Sequence, residues 1–305
     1  LTATTRAALE RVRPLLAARE RDGRVARCHG DLHLGNIVLI DGAPVLFDAI
    51  EFDPRIATGD VLYDLAFLLM DLIERGLKSA ANIVLNRYLM ETRRLDDLDA
   101  LVALPLLLSL RAAIRAKVSA ERQSRDANIE RSARDYFALA QSLLAPPPPK
   151  LIAIGGLSGT GKSLLARALS SELPPAPGAV WLRSDVERKA QFGVAETERL
   201  PQAAYAREVT AKVYDALTGK TARVLAAGHS AVVDAVFADP TERRTIEQAA
   251  GNAAFHGLFL SAPLATRVAR VGTRQGDASD ADAAIARAQE RYDLGAMTWQ
   301  QVDAA

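Results

Sequence analysis

The sequence is poor in cysteine, with Cys28 as the only one among 305 residues. A single cysteine cannot form a disulfide within the chain, so a disulfide framework is excluded. No stretch has the pattern of a secretory signal peptide either. Together these two features predict a reducing, cytoplasmic location.

An excess of charge is also lacking, since 38 Lys and Arg balance 37 Asp and Glu for a formal net charge of +1. This balance does not attract a polyanion, which argues against a nucleic-acid partner. Long apolar runs are absent as well. The runs at 61–73 and 101–110 are short or interrupted by Asp64, Asp71 and Pro105. They predict buried helices, and we expect no association with a membrane.

What is present is ordinary globular material, in an amount that suits two domains. Hydrophobic residues make up 49% and charged residues 25% of the chain, and single cores stop growing near about 250 residues. Consecutive prolines at 146–149 favour an extended, stiff segment that cannot continue a helix. We therefore predict domains over residues 1–145 and 150–305, joined by a proline linker over 146–149.

The two halves differ in their hydrophobic patterns. After a strand–loop–strand unit near 25–50, apolar residues recur at spacings of three and four, which predicts helices over 61–75, 79–93, 98–121 and 126–144. In the second half, short apolar runs alternate with amphipathic stretches, which is typical of a parallel sheet, with strands at 151–155, 179–183, 231–234 and 256–260. The predicted fold class is therefore α/β, with a mostly α domain before a parallel-sheet domain.

The second domain begins with a strand, a glycine-rich turn and a helix in LIAIGGLSGTGKSLLARAL. Its glycines, lysine and serine satisfy G-x-x-x-x-G-K-[ST] in the context that this phosphate-loop pattern requires. Glycines let backbone N–H groups converge on a phosphate, Lys162 would neutralise the β- and γ-phosphates, and Ser163 would ligate Mg²⁺. The alternative is a turn that binds nothing. The predicted nucleotide-binding residues are Gly156, Ser158, Gly159, Thr160, Gly161, Lys162 and Ser163.

Acidic residues follow two other predicted strands. VWLRSDVERK places Asp185 at the carboxyl end of a strand, where open parallel sheets bind ligands, and Arg188 one helical turn later. We predict that Asp185 accepts the proton of an attacking hydroxyl group and that Arg188 steadies the phosphate; the alternative is that Asp185 caps the next helix. Asp234, which ends AVVD, is suited to hold a water bound to Mg²⁺.

The segment APLATRVARVGTRQGDASDAD places Arg267, Arg270 and Arg274 along a helix and its exit. Phosphoryl transfer develops charge on the phosphate oxygens, and a mobile segment that brings guanidinium groups stabilises this charge and excludes water. We predict such a lid here. The alternative is a solvated, arginine-rich helix face.

Together, GLSGTGKS, LRSDVERK, VVDAVF and the arginine segment resemble the P-loop kinase group that includes polynucleotide 5′-kinases, zeta-toxin-like kinases and gluconate-kinase-like enzymes. The resemblance spans most of residues 150–305. It implies that the chain uses ATP and Mg²⁺, with Asp185 as the base, Arg188 as a clamp on substrate or phosphate, and the three arginines on a lid.

The first domain contains HGDLHLGN at residues 29–36, followed by VLFDAIEF. In this catalytic-loop pattern Asp31 would orient or deprotonate a hydroxyl group, and Asn36 would help to hold a metal ion. Asp48 follows an apolar strand, where a metal-chelating Asp is expected. The alternative is a turn rich in His and Asp, in which Asp31 and Asn36 act as caps.

HGDLHLGN, LFDAIEFD and GDVLYDLAFLL resemble the aminoglycoside-phosphotransferase family, a branch of the protein-kinase-like fold. The resemblance covers about residues 25–145. By this resemblance the functional residues are Asp31 as the base, Asn36 and Asp48 as Mg²⁺ ligands, and Asp60 and Asp64 in the structural motif behind the loop.

The departure from this family is the N-terminal lobe, which holds ATP under a β-sheet and a lysine. The 28 residues before His29 contain no lysine, and the first residue is Leu1. We therefore expect a fragment of a longer fusion, similar to bacterial proteins described as bifunctional aminoglycoside-phosphotransferase-like, ATP-binding proteins. Drug resistance does not follow from such a similarity of fold.

The sequence thus predicts an ATP-dependent kinase that transfers a γ-phosphoryl group to a hydroxyl group of a small molecule, with the working site in the second domain. Two alternatives stay open. One is a polynucleotide 5′-hydroxyl kinase, which would need a basic groove leading to Asp185. The other is a non-catalytic module that senses a nucleotide. No base-reading motif separates ATP from GTP.

Overall fold

The computed structural model of the protein describes residues 1–121, 127–273 and 276–305. The chain divides into two compact units. Unit 1 comprises Leu1–Tyr88, Ala100–Pro147 and Ala176–Gly178, and unit 2 comprises Leu89–Asp99, Pro148–Pro175 and Ala179–Ala305.

Most of the chain before the prolines is helical, as the sequence predicted. Its helices are α1 (Thr2–Arg21), α2 (Pro54–Ala57), α3 (Val61–Glu74), α4 (Lys78–Thr92), α5 (Leu95–Asp99), α6 (Leu104–Glu121) and α7 (Ala127–Leu143). Helix α1 was not predicted. In the described part of the chain, no helix is both long and apolar enough to cross a membrane.

The helix predicted over 98–121 is wrong in one respect, because it is interrupted. A 3₁₀ turn at Ala100–Ala103 separates α5 from α6. Pro105 is the second residue of α6, a position where a proline costs the helix no hydrogen bond, because the N–H groups of the first turn have no partner within the helix. A new helix therefore begins just before it.

Helix α3 shows why the apolar run at 61–73 folds as it does. The Asp60 carboxylate accepts a hydrogen bond from the Leu62 N–H at 2.8 Å and so caps the helix. Leu62, Leu69 and Met70 are buried in the core of unit 1. The Arg19 guanidinium donates to Asp60 at 2.7 Å, which ties α1 to the start of α3.

Two small antiparallel sheets flank the HGDLHLGN segment. They pair β1 (Val25–Arg27) with β4 (Thr58–Asp60), and β2 (Ile37–Ile40) with β3 (Ala43–Leu46). The hairpin between β2 and β3 turns at Asp41 and Gly42, whose φ values are 51° and 78°. An Asp-Gly pair favours this left-handed conformation in a two-residue turn. The strand–loop–strand unit predicted near 25–50 is therefore present.

Unit 2 is built on a five-stranded sheet in which every neighbouring pair is parallel, in the order β6-β7-β5-β8-β9. Its strands are β5 (Lys150–Gly156), β6 (Val180–Arg183), β7 (Ala231–Asp234), β8 (Ala254–Ser261) and β9 (Gln300–Asp303). The first four confirm the predicted strands. The fifth was missed, because Val302 is its only apolar residue.

The helices of unit 2 after the prolines are α8 (Lys162–Glu172), α9 (Ser184–Gln191), α10 (Arg207–Ala226), α11 (Pro240–Gln248), α12 (Leu264–Gly272) and α13 (Ala283–Ala288). The core under the sheet contains Ile152, Ile154, Ala166, Val232 and Leu260. Since β5, β6 and β7 are adjacent and parallel, the residues that follow them meet at one edge of the sheet.

Candidate active site

The predicted phosphate loop, residues 156–163, connects the carboxyl end of β5 to the start of α8. Gly156, Gly159 and Gly161 have φ values of 140°, 86° and 92°, a region that residues with a side chain avoid. Gly161 is also the N-cap of α8. The loop therefore ends at the positive end of a helix dipole, which favours an anion.

Two glycines of the loop are required by packing. A Cβ atom on Gly156 would lie 2.6 Å from the Leu260 carbonyl oxygen, and one on Gly159 would lie 2.5 Å from the Arg267 carbonyl oxygen. At Gly161, by contrast, an added Cβ would meet nothing within 4 Å. The loop is thus packed closely on one side and open on the other.

We expect Gly159→Ala to destabilise unit 2 by about 2 kcal/mol, because the new methyl group would force a backbone shift and alanine would have to keep the left-handed φ of Gly159. Tryptophan fluorescence during urea unfolding reports on this unit alone, since Trp181 and Trp299 both belong to it. The control is Gly219→Ala in α10, where an added Cβ meets nothing within 4 Å and alanine favours the helix. Equal destabilisation by both substitutions would contradict the packing argument.

Hydrogen bonds to side chains and carbonyl groups within the protein hold the shape of the loop. The Ser158 N–H donates to Gln289 Oε1 at 2.7 Å, and the Thr160 hydroxyl donates to the Leu157 carbonyl oxygen at 2.8 Å. Lys162 Nζ donates to the same carbonyl oxygen at 3.2 Å. The ammonium group of Lys162 is therefore held beside the loop, where the pattern predicted a contact with phosphate.

The side chains predicted to hold Mg²⁺ in this unit are in contact. The Ser163 hydroxyl donates to Asp234 Oδ2 at 2.6 Å, and Asp234 is 4% exposed at the end of β7. Burial raises the pKa of Asp234, and the Lys162 charge, the Ser163 hydrogen bond and the Arg183 charge act against that rise. The pair places a hydroxyl and a carboxylate oxygen close to Lys162 at the end of the phosphate loop.

These oxygens suit a magnesium ion that arrives with a nucleotide. Mg²⁺ commonly takes one or two protein ligands and completes its coordination with phosphate oxygens and water. Within residues 1–121, 127–273 and 276–305, no group of three or more His, Cys, Asp or Glu side chains is placed to hold a metal ion.

Arg183 is a site residue that the sequence analysis missed. It ends β6, directly opposite Asp234 in the register with β7. Its Nη2 donates to Asp277 Oδ1 at 2.7 Å and to Ser163 Oγ at 3.3 Å, its Nη1 donates to Glu196 Oε1 at 3.4 Å, and its Nε lies 3.7 Å from Asp234 Oδ2. Arg183 thus touches both side chains that were predicted to hold Mg²⁺.

Asp185 and Arg188 lie on α9, beside the sheet edge that carries the phosphate loop. Asp185 is in the first turn of the helix and is partly exposed, whereas the N-cap position is Arg183. Arg188 is buried, donates to the Ala204 carbonyl oxygen at 2.7 Å, and lies over the Tyr205 ring at 4.8 Å. The base and clamp roles of Asp185 and Arg188 stay predictions.

Asp280 organises the segment next to α9, and it was not predicted either. Its carboxylate accepts hydrogen bonds from Lys189 Nζ at 2.9 Å, from the Tyr205 hydroxyl at 2.6 Å and from the Leu200 N–H at 3.0 Å. Burial alone would raise the pKa of Asp280, but these hydrogen bonds outweigh it and lower the pKa. Asp280 therefore joins α9 to the 3₁₀ turn at Gln202–Tyr205.

The arginines of the predicted lid have protein partners. Arg267 is 1% exposed and donates to the Glu290 carboxylate and to the Ala286 carbonyl oxygen. Arg270 is exposed and donates to the Ala304 carbonyl oxygen at 2.6 Å. Arg274 lies outside the described residues. In this arrangement Arg267 supports the packing beneath Gly159, and a role for the three arginines in transfer stays a prediction.

In unit 1, the HGDLHLGN loop is held by the residues behind it. Asp64 accepts hydrogen bonds from the backbone N–H groups of His29 and Gly30 at 3.1 and 2.9 Å. Asn36 Nδ2 donates to the carbonyl oxygen and to Oδ2 of Asp31 at 3.0 and 3.2 Å. Asp31 and Asn36, which were predicted to act together, therefore lie in contact.

Asp48 lies on the segment that returns to this loop. The Phe47 N–H donates to the Asn36 carbonyl oxygen at 3.1 Å, and the Ile50 N–H donates to that of His29 at 2.9 Å. Asp48 itself is exposed, with a φ of 59°. Its role as a metal ligand, like that of Asn36, stays a prediction.

Comparison with known proteins gives a match for each half of the chain. Residues 1–101 match the model of the phosphotransferase enzyme family, and residues 151–294 match a model described as an AAA domain. These matches confirm the predicted resemblance of the first half to phosphotransferases and of the second half to a P-loop family.

Two curated relatives, an uncharacterized protein of Mycobacterium tuberculosis and one of Mycobacterium bovis, are each 31% identical to this chain over 297 residues. Each match covers 95% of this chain and 58% of the relative. The chain therefore spans little more than half the length of the curated relatives it matches.

Two solved structures are also similar. One is an unliganded sugar kinase from Janibacter sp., with 18% identity and a TM-score of 0.38, covering 51% of this chain and 84% of that one. The other is a gluconokinase from Sinorhizobium meliloti, with 20% identity and a TM-score of 0.35, covering 52% of this chain and 83% of that one.

Proposed function

Since the chain joins a segment of the phosphotransferase enzyme family to a P-loop segment of the AAA domain family, we propose that it is an ATP-dependent kinase. Its second unit transfers the γ-phosphoryl group to a hydroxyl group of a small molecule. The observation that carries this proposal is the hydrogen-bonded pair of Ser163 and Asp234 beside Lys162. A glycine loop, a cation and oxygen ligands at one sheet edge are what phosphoryl transfer requires of a protein.

The nucleotide would be held by residues that already lie together. When bound, Mg²⁺ would neutralise part of the negative charge on the β- and γ-phosphates. Ser163 Oγ and the Asp234 carboxylate would hold that ion, directly or through water. Lys162 adds a positive charge beside the loop, and the start of α8 directs backbone N–H groups towards the phosphates.

The acceptor would bind on the side of α9. Asp185 orients the hydroxyl group and accepts its proton at the carboxylate, while Arg188 steadies the groups around it. The Asp277 and Asp280 carboxylates on this side are paired with Arg183 and Lys189. The chain as a whole has a formal net charge of only +1, so we propose a small molecule in preference to nucleic acid.

Lys162→Ala is expected to weaken the binding of Mg-ATP and Mg-ADP about 10- to 100-fold, because a charge-assisted contact to phosphate is lost. Isothermal titration calorimetry measures this effect. Lys150→Ala is the matched control, since Lys150 is exposed at the far end of β5. This variant should bind Mg-ATP and Mg-ADP as tightly as the unaltered protein does. Absence of nucleotide binding to the unaltered protein would contradict the proposal.

Transfer itself is tested with ATP labelled in the γ-phosphate, over a panel of sugars, nucleosides, aminoglycosides and 5′-hydroxyl oligonucleotides. We expect label on one class of small hydroxyl compound. Label on the oligonucleotides alone would favour the polynucleotide kinase. Nucleotide binding without transfer to any acceptor would favour a module that senses the nucleotide.

A further inference from the structure

We propose that Arg183 is a positioning residue that couples occupation of the phosphate loop to the placement of residues 276–282. The inference rests on the proposed function, because it concerns the same nucleotide site. It begins from the four carboxylate and hydroxyl groups, contributed by four separate parts of unit 2, that surround one guanidinium group.

Arg183 and Asp234 both contact the hydroxyl oxygen of Ser163. A serine hydroxyl has one hydrogen and two lone pairs. Ser163 directs its hydrogen to Asp234 at 2.6 Å and accepts a hydrogen bond from Arg183 at 3.3 Å. If Ser163 and Asp234 hold a cation, the cation takes a lone pair of Ser163 Oγ and repels the positive guanidinium beside it. The contact between Arg183 and Ser163 and the binding of the metal therefore oppose each other.

A movement of Arg183 would carry Asp277 with it. The shortest contact of the guanidinium is with Asp277, at 2.7 Å. A guanidinium that leaves Ser163 can keep this bond, because Nη2 makes both contacts and has two hydrogens. The Trp181 ring centre lies 4.8 Å from the guanidinium carbon and blocks movement of the guanidinium on that side. Asp277 would therefore follow Arg183.

Residues 277–280 connect Arg183 to the side of α9 where the acceptor would bind. Asp280, three residues later, is bonded to Lys189 on α9 and to the Tyr205 hydroxyl. A shift of Asp277 is thus transmitted to a carboxylate that positions the 3₁₀ turn over Arg188. Residues 276–282 would therefore link the phosphate loop to the side of α9 where the acceptor would bind.

Hydrogen–deuterium exchange of residues 276–282, with and without Mg-ADP, tests this coupling. In the unaltered protein, Mg-ADP should change the exchange of this segment more than ADP with a chelator does. In Arg183→Ala the segment should lose its response to Mg-ADP although the nucleotide still binds. Arg183→Lys should restore part of the response. Lysine keeps the positive charge but lacks the planar guanidinium that donates to several partners at once.

Asp277→Asn tests the connection from its other end and should also remove the response. Arg199→Ala is the matched control: Arg199 pairs with Asp282 in the same segment, and both side chains are largely exposed, at 69% and 49%. Its response should match that of the unaltered protein. A full response to Mg-ADP in Arg183→Ala or in Asp277→Asn would overturn the inference.

A failure of this inference can be distinguished from a failure of the proposed function. An unaltered protein that binds no nucleotide would overturn both. An unaltered protein that binds Mg-ADP, and whose residues 276–282 exchange as they do without it, would overturn this inference alone.

Discussion

The substitution Asp185→Asn is expected to lower the rate of phosphoryl transfer about 10²- to 10⁴-fold, the usual effect of removing a general base. Asparagine has nearly the same shape as aspartate but cannot accept the proton of the attacking hydroxyl group. Because Asp185 lies on α9 and outside the phosphate loop, the affinity for Mg-ADP should remain. The measurement is kcat and KM with the best acceptor of the panel, together with calorimetry of Mg-ADP binding.

Asp215→Asn provides the control for this experiment. Asp215 is exposed on α10, another helix of the same unit, so its loss should leave kcat unchanged. A kcat of Asp185→Asn equal to that of the unaltered protein would rule out Asp185 as the base. A rise in KM alone would assign Asp185 to binding of the acceptor.

The second large effect concerns stability. We expect Asp280→Asn to destabilise unit 2 by about 3–5 kcal/mol, because it leaves the ammonium group of Lys189 buried without its counter-charge. Lys189 is 1% exposed, and asparagine cannot supply the lost negative charge. Urea unfolding followed by tryptophan fluorescence measures the change in this unit.

The effect should depend on pH in a defined direction. The hydrogen bonds to Asp280 lower its pKa in the folded protein, so the unfolded chain binds more protons as the carboxyl group titrates. The stability that Asp280 contributes is therefore present above about pH 4 and lost as the pH falls through the folded pKa. The difference between the Asp280→Asn variant and the unaltered protein should narrow below about pH 4.

Arg199→Ala is again the control. Its ion pair with Asp282 is exposed, and exposed pairs contribute about 0–1 kcal/mol. A loss of stability as large as that of Asp280→Asn would mean that any charge change near residues 276–282 is costly. Such a result would contradict the specific role of the buried pair.

The sequence predicted the phosphate loop and the strands beside it because their signals are local. Gly156 and Ser163 lie within one continuous pattern, and Asp234 ends a run of apolar residues that fills a buried parallel strand. For these residues, the pattern along the chain is enough to predict where they lie in the fold. The carboxyl ends of parallel strands then bring these residues together without further contacts.

Arg183 and Asp280 were missed because their partners are far away in the sequence. Arg183 meets Asp277 across 94 residues, and Lys189 meets Asp280 across 91. Neither pair has a local signature, since charged residues at strand ends and in turns are common. A weak signal did exist: Arg183 ends the strand before Asp185, and a parallel sheet with β7 next to β6 places it opposite Asp234.

The surroundings of the arginines on α12 could not be predicted, for a different reason. Helical spacing correctly predicted that Arg267 and Arg270 lie on one helix. The same spacing fits an arginine that faces a ligand and one that is buried against a carboxylate. Glu290, which pairs with Arg267, comes from a 3₁₀ turn that no pattern predicted. Likewise, β9 is an edge strand with one apolar residue and lacks the alternation that identifies a strand.

The hydrogen bond between Ser158 and Gln289 spans 131 residues, which has a consequence for biosynthesis. A ribosome makes the glycine turn first and supplies its glutamine partner only after α12 and α13 have been translated. The nascent turn therefore lacks one of the hydrogen bonds that hold its shape for nearly the whole synthesis of unit 2. The turn can therefore reach its fully hydrogen-bonded form only after that late stretch has emerged and packed.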